Sequence, residues 1–248
     1  MLRTCLVAAL ALGAVQLVPN SARAADAALP KAEIEQIVRD YLLREPEVIY
    51  QAIQELQKRQ QAAEAERQQT AIVERADEIF RHADDPIVGN AAGDVTLVEF
   101  FDYHCGYCRS MVGNLRNLVD GDKQLRFVMK ELPVLGPDSV TAAKAALAAS
   151  KLNPARYYDF HLALMQSKDI GLETVLKVAA AKGYDPKALK AEMDAPWIQE
   201  RLDANHALAE SLGINGTPSF VIGKTLIPGA VDIGRLAQLV TDERQTAQ

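Results

Sequence analysis

Apolar positions change their period along the chain, and each change marks a different kind of element. From Lys31 to Arg44, Ile34, Ile37, Val38, Tyr41 and Leu42 recur at i, i+3, i+4, i+7 and i+8 between charged residues, which predicts an amphipathic helix with one apolar stripe. Glu45-Pro46 should interrupt it, because the residue before a proline avoids the helical region and proline starts helices well. A second helical stretch opens near Glu47, with an early seam of Ile49, Ile53 and Leu56 and a late one of Ile72, Ala76, Ile79 and Phe80. Between the seams, Gln57 to Thr70 is nearly all Gln, Glu, Ala, Lys and Arg, a composition with high helix propensity and little to bury. It reads as a solvent-exposed connecting helix or a flexible linker. The early apolar patches are too small to make a core alone. They could fold back as a hairpin or pair with copies of themselves as an oligomerisation arm, and the polar connector favours the arm.

Strand periodicity begins near Asp85. Ile87-Val88 reads as a short edge strand, Asn90 to Asp94 as a turn, and Val95 to Phe101 as a central strand. A helix over Cys105 to Leu118 separates it from an alternating strand, Leu125 to Leu132, which the crossover should make parallel to the first. The pattern then turns helical: Ser139 to Ser150, Tyr157 to Gln166, Leu172 to Lys182, Pro186 to Met193 and Trp197 to Leu212, with prolines at starts and Gly183 and Gly213 at ends. Ser219 to Ile222 and Thr225 to Pro228 form a hairpin about Gly223-Lys224, before a closing helix near Ile233 to Thr241. The order predicts an α/β domain interrupted by an all-helical insertion. The expected divisions are an arm and linker at 25–84, a first α/β part at 85–136, the insertion at 137–212 and a second part at 213–248.

Composition changes this picture at the N-terminal end. Arg3, the apolar run Leu6 to Val18 and the Ala22-Arg23-Ala24 signal read as an export leader, residues 1–24, cleaved after Ala24. The run is too short to span a bilayer, so the expected destination is the periplasm. Loss of Arg3 and Arg23 leaves 25 basic against 33 acidic residues, a net charge of −8. An acidic chain without a basic block is a poor partner for nucleic acid.

Cys5 leaves with the leader, so the mature chain holds Cys105 and Cys108. A structural disulfide gains most by closing a long loop, and a two-residue gap constrains the unfolded chain little. Redox chemistry explains the pair better. Zinc is the competing reading, but His82, His104, His161 and His206 offer no second paired spacing, and no metal site is expected. At a helix N-terminus, unpaired N–H groups and the helix dipole favour the thiolate, the species that attacks a disulfide. Cys105 would be the exposed nucleophile, and Cys108, one turn further in, would resolve the mixed disulfide. Gly216-Thr217-Pro218 heads the late hairpin, where a cis-proline loop beside the sulfurs would leave backbone groups of Thr217 free for an extended substrate.

Val-Glu-Phe-Phe-Asp-Tyr-His-Cys-Gly-Tyr-Cys from Val98, Lys130-Glu131-Leu132-Pro133 and Gly216-Thr217-Pro218-Ser219-Phe220 together resemble the DsbA family of thiol:disulfide oxidoreductases, in the ScsC-like branch with an N-terminal helical extension. The resemblance covers roughly Asp85 to the end and implies a thioredoxin fold with a helical insertion. It implies Cys105 as nucleophile, Cys108 as resolver and Pro218 as the cis-proline. No cofactor is implied beyond a redox-active Cys105–Cys108 disulfide. It also points to Glu99 as a buried acid that moves a proton to or from Cys108, against the plain alternative that strand alternation turns it to solvent. Lys130 is the expected charge partner of Glu99, and Gly106, Tyr107, His104 and Thr217 are the expected substrate contacts.

The best-known oxidase of the family has a histidine between its cysteines, whereas Gly106-Tyr107 stands here, and Thr217 before the proline resembles the isomerase group. The resemblance therefore implies a milder potential, and an isomerase or reductase of exported disulfide-containing proteins, kept reduced by a membrane thiol reductase. A homo-oligomer through the arm is expected, and the resemblance favours a trimer. The alternatives are a dithiol oxidase, recycled by a membrane oxidase, and a copper-tolerance protein that holds Cu(I) on its two thiolates.

Overall fold

The computed structural model of the protein describes residues 29–246; the expected leader, its cleavage position and Cys5 lie outside them. The chain divides into two compact units, one ending at Lys58 and the other starting at Arg59.

In the first unit, α1 (Lys31–Arg44) ends at Glu45, whose φ of −126° and ψ of 62° leave the helical region just before Pro46. The helix buries none of its residues. Its predicted apolar stripe is present but open, with Ile37 52% and Val38 50% exposed. The next helix, α2 (Glu47–Glu74), runs unbroken for 28 residues and passes from the first unit into the second. Gln57 to Thr70 is thus helix and not a flexible linker. Straight-chain residues lose little rotamer freedom in a helix, and pairs such as Glu64–Arg67 add to it.

The second unit continues with α3 (Ala76–Phe80), β1 (Ile87–Gly89), β2 (Val95–Phe101), α4 (Gly106–Gly121) and β3 (Leu125–Glu131). The insertion follows as α5 (Pro137–Leu152), α6 (Pro154–Gln166), α7 (Leu172–Ala181), α8 (Pro186–Met193) and α9 (Pro196–Ser211). The chain closes with β4 (Ser219–Ile222), β5 (Thr225–Pro228) and α10 (Ile233–Thr246). Four insertion helices start on a proline, whose fixed φ suits the first turn and whose missing N–H would be unpaired there anyway. Gly183 and Gly213, at φ +81° and +71°, end α7 and α9 in the left-handed region.

The strands form one sheet in the order β1-β3-β2-β4-β5. β2 and β3 are parallel, as the crossover requires, and the other pairs are antiparallel. Alternation divides β2 and β3 between two cores. Val95, Leu97 and Phe101 with Phe127 and Met129 face one side, where α4 lays down Cys108, Met111 and Leu115 and the insertion adds Tyr157 and Phe160. Val98, Phe100 and Val128 face the other, against Ile72, Ile79, Leu208 and Leu212. Ile72 and Ile79, expected from the sequence on the arm side of residue 85, are core residues of the second unit.

Candidate active site

The site lies where β2 ends and α4 begins. Cys105 is the N-cap of α4, with φ −71° and ψ 116°; its N–H donates to the Asp102 carbonyl at 3.1 Å and its own carbonyl accepts from Arg109 N–H at 3.0 Å. Cys108 sits one turn further in, and both are thiols. The sulfur makes no hydrogen bond to the first-turn N–H groups, but its residue caps the end of the helix where negative charge is favoured.

The Thr217–Pro218 peptide bond is cis. The preceding turn is tied by the Ser219 hydroxyl, which donates to the Gly216 carbonyl at 2.8 Å. This loop meets the cysteines directly: the Cys105 thiol donates to the Thr217 carbonyl at 3.1 Å. The contact corrects one expectation. Cys105 is not openly exposed but retains 6% of its surface, because the loop covers it, while Cys108 retains 1%. Tyr107 is 70% exposed beside them, and Gly106 and His104 are also exposed. Tyr107, Gly216, Thr217, Pro228 and Gly229 line an open groove alongside the cysteines.

Glu99 points inward, not to solvent, and is 2% exposed. Strand alternation places it on the α4 face, in register with Met129 on β3 and Phe220 on β4. Burial raises its carboxyl from 4.5 to about 8. The Cys108 thiol is pushed up by burial first and by the charge of Glu99 second, which puts the two groups in electrostatic contact.

Lys130 is not the partner of Glu99. It is in register with Phe100, so its side chain leaves the sheet on the opposite face. There its ammonium pairs with the Asp85 carboxylate and donates to the Glu78 carbonyl. Arg201 Nε reaches the other oxygen of Asp85 at 3.0 Å, and Asn205 carries the network on to the Glu131 carbonyl at 3.0 Å. The Lys130, Asp85, Arg201 and Asn205 side chains are buried, and they join the start of the α/β part to the end of the insertion. A one-residue step along a strand reverses the face, which is why neighbouring position alone misassigned the pair.

Two features were not anticipated from the sequence. Glu131, on the Glu99 face and fully buried, lies with its Oε1 3.3 Å from the Tyr103 hydroxyl, which is 3.0 Å from His161 Nδ1. Burial pushes the Glu131 carboxyl up and takes His161 down to about 3, so the imidazole is neutral. The Tyr103 hydroxyl donates to Glu131 Oε1. The second feature is Asp102, 1% exposed, whose carboxylate accepts the His104 N–H at 2.7 Å and three further donors. An acidic residue just ahead of a helix start is a turn signal that could have drawn attention to it.

Comparison with known proteins bears on the family and the fold. Residues 96–241 match the DSBA-like thioredoxin domain, and residues 31–63 match the copper resistance protein ScsC N-terminal domain. A thioredoxin-like oxidoreductase from Silicibacter pomeroyi DSS-3 is 42% identical, with a TM-score of 0.65 over 68% of this chain and 97% of that one. A linker-deletion mutant of Proteus mirabilis ScsC is 28% identical, with a TM-score of 0.69 over 90% of this chain and 100% of that one. Disulfide bond formation protein D of Bacillus subtilis is 24% identical over 64% of this chain and 76% of its own length. The chain spans only about a quarter of the first curated relatives it matches, such as the Na(+)/H(+) antiporter NhaA of Herminiimonas arsenicoxydans, of which it covers 26%. Sulfurs on a helix cap, a cis-proline loop over them and five helices set into one sheet thus have a common explanation: the chain belongs to the DSBA-like thioredoxin family, with a ScsC-type N-terminal domain ahead of it.

Proposed function

We propose that this protein is an exported thiol:disulfide oxidoreductase that acts on protein disulfides as an isomerase or reductase. The observation that carries the reading is the cap position of Cys105 against the Thr217 carbonyl, which sets one sulfur at the surface end of a helix under a loop suited to an extended chain. The Cys105 thiolate attacks a client disulfide; a new sulfur–sulfur bond forms, and the electron pair of the broken bond leaves on the other client sulfur, which takes a proton from water. The mixed disulfide has two exits. A second client thiolate can displace Cys105, which rearranges the client without net oxidation. Alternatively Cys108 attacks Cys105, gives its proton to ionised Glu99 and releases the client reduced, leaving a Cys105–Cys108 disulfide for a membrane thiol reductase to reduce.

Gly106-Tyr107 puts no charged group between the sulfurs, which supports a milder oxidant than a strong oxidase needs. The open stripe of α1 supports self-association, with a trimer favoured by the match to the ScsC N-terminal domain. Several sites would then face one client. Recovery of activity from scrambled ribonuclease tests the reading: the intact mature protein should restore it in a redox buffer, and failure with a folded, reduced protein removes the isomerase. The likeness to a disulfide bond formation protein favours a second reading, a dithiol oxidase. Trapping the cysteines in cells separates the two, since an isomerase is held mainly reduced and an oxidase mainly oxidised.

A further inference from the structure

The insertion helix α6 is tied to the chain on either side of the sulfurs. Tyr103 stands two residues before Cys105 and is buried. Its hydroxyl donates to Glu131 Oε1 on β3 at 3.3 Å and lies 3.0 Å from Nδ1 of His161 on α6. Arg109, just after Cys108 on α4, donates from its guanidinium to the carbonyl of Ser167, the residue that caps the C-terminal end of α6. A cation suits that end of a helix. The same guanidinium reaches the Tyr103 carbonyl at 3.5 Å, and the Arg109 N–H donates to the Cys105 carbonyl at 3.0 Å. Residues 103 and 109 thus bracket the sulfurs, and one helix of the insertion holds both.

The hydrogens of the first tie can be counted. A phenol has one, and Tyr103 gives it to Glu131. The contact with His161 is then a hydrogen bond only if Nδ1 carries the other hydrogen. A neutral imidazole has a single N–H, so in His161 that N–H is on Nδ1. Neighbouring rings fix the imidazole: Phe101 meets it edge-on at 5.0 Å and Tyr158 stacks on it at 5.9 Å. We propose that His161 is a positioning residue for thiol exchange: it gives its Nδ1 hydrogen to Tyr103, and the chain from His161 through Tyr103 to Glu131 holds the turn that sets Cys105 against the Thr217 carbonyl. The proposal rests on the thiol-exchange reading above and gives the insertion a part in it. Only His104 separates Tyr103 from Cys105, so a Tyr103 side chain free to shift moves the sulfur against its loop. Tyr103, Glu131 and His161 are all buried, which makes the effect one on the sulfur and not on client contact.

Two measurements test it. Nitrogen NMR of histidine-labelled wild-type protein at neutral pH reads the tautomer directly, and the signal that His161→Asn removes should be that of a ring protonated at Nδ1. A ring protonated at Nε2 overturns the proposal, because the phenol would then be the donor. The second measurement is exchange with oxidised glutathione, a disulfide too small to depend on client fit. Tyr103→Phe keeps the ring and removes the hydroxyl, and His161→Gln carries its amide to the place of the other ring nitrogen. Each should lower kcat/KM about tenfold, the scale of one hydrogen bond. His161→Asn, whose amide N–H2 falls where Nδ1–H stands, should recover most of that loss. A merely structural role predicts the reverse order, since asparagine fills less of the buried space than glutamine. Equal losses in His161→Asn and His161→Gln, or wild-type rates in His161→Gln and Tyr103→Phe, overturn the proposal. The two His161 variants carry the comparison if Tyr103→Phe fails to fold. Wild-type protein that shows the Nδ1–H signal yet is inactive on glutathione would instead sink the thiol-exchange reading itself, a result distinct from an active protein indifferent to the tautomer.

Discussion

The Cys105 sulfur and the Thr217 carbonyl oxygen, 112 positions apart in sequence, lie 3.1 Å from each other. The contact gives the two cysteines different neighbours. Cys105 meets a backbone group at the rim, whereas Cys108 is sealed beneath with Glu99 acting on it. Under the proposed function a client disulfide would meet the first, so position alone would assign the two sulfurs their roles before any difference in reactivity is considered.

Replacing each cysteine by serine should therefore have unlike effects. Cys105→Ser should abolish exchange with protein disulfides. Cys108→Ser should still attack, but with the resolving sulfur gone it should accumulate covalent adducts with clients, visible as reductant-sensitive bands of higher mass. Adducts in the Cys105→Ser protein and none in Cys108→Ser would reverse the assignment.

Glu99 makes a prediction about pH. Its carboxyl lies at about 8 in the fold against 4.5 in the unfolded chain, because burial disfavours the charged form. Between those values the native state holds a proton that the unfolded state has lost. Stability from this group is complete below pH 4.5 and falls as pH rises toward 8. Glu99→Gln removes that slope and should be more stable than wild type at pH 8, by on the order of 3 kcal/mol, with little difference near pH 5. Release of the mixed disulfide by Cys108 should also lose its pH midpoint near 8. Urea unfolding at the two pH values and stopped-flow release kinetics check these outcomes, and parallel stability curves would rule out the buried ionisation.

The legible parts of this chain were those written in local signals. Strands β2 and β3, the sulfur helix and the late hairpin each stand where alternation, helical spacing and turn residues put them, because hydrophobic period and chain punctuation act over a few residues. The parts that were not legible depend on which face a strand shows and on contacts far apart in sequence. Lys130 is one residue from the position that would face Glu99, and its partner Asp85 lies 45 residues away. Asp102 looks like an ordinary turn residue until the 134–135 segment, more than thirty residues on, returns to it. Cys105 reads as exposed for the same reason: nothing near it in sequence reports the loop at 217 that covers it.

The Lys130–Asp85–Arg201 network should matter to the fold and not to the proton step. Its groups are buried on the sheet face away from Cys108, so removing one partner leaves an uncompensated charge in the core. Lys130→Met should destabilise the protein by about 3–5 kcal/mol. The pH midpoint of mixed-disulfide release should stay where Glu99 sets it. Chemical denaturation together with that pH profile distinguishes the two roles, and a shift of the midpoint without loss of stability would restore Lys130 to the site.

The first unit raises a question of solubility that a single chain does not answer. On α1, Ile34, Ile37, Val38 and Tyr41 keep between 43% and 52% of their surface open on one face of a helix that buries nothing. Four such groups in one stripe are what helix pairing uses, since each apolar side chain removed from water contributes on the order of 1 kcal/mol. The intact mature protein should therefore scatter light as an oligomer. Ile37→Asp with Tyr41→Asp should reduce it to a single chain, because a charge in the seam would have to lose its water at every copy. Exchange with oxidised glutathione, counted per site, should be unaffected by the double variant, while recovery of scrambled ribonuclease should fall severalfold if several sites must face one client. A wild-type protein that is monomeric across the micromolar range would remove the arm as an assembly device and leave α1 without a partner in this scheme.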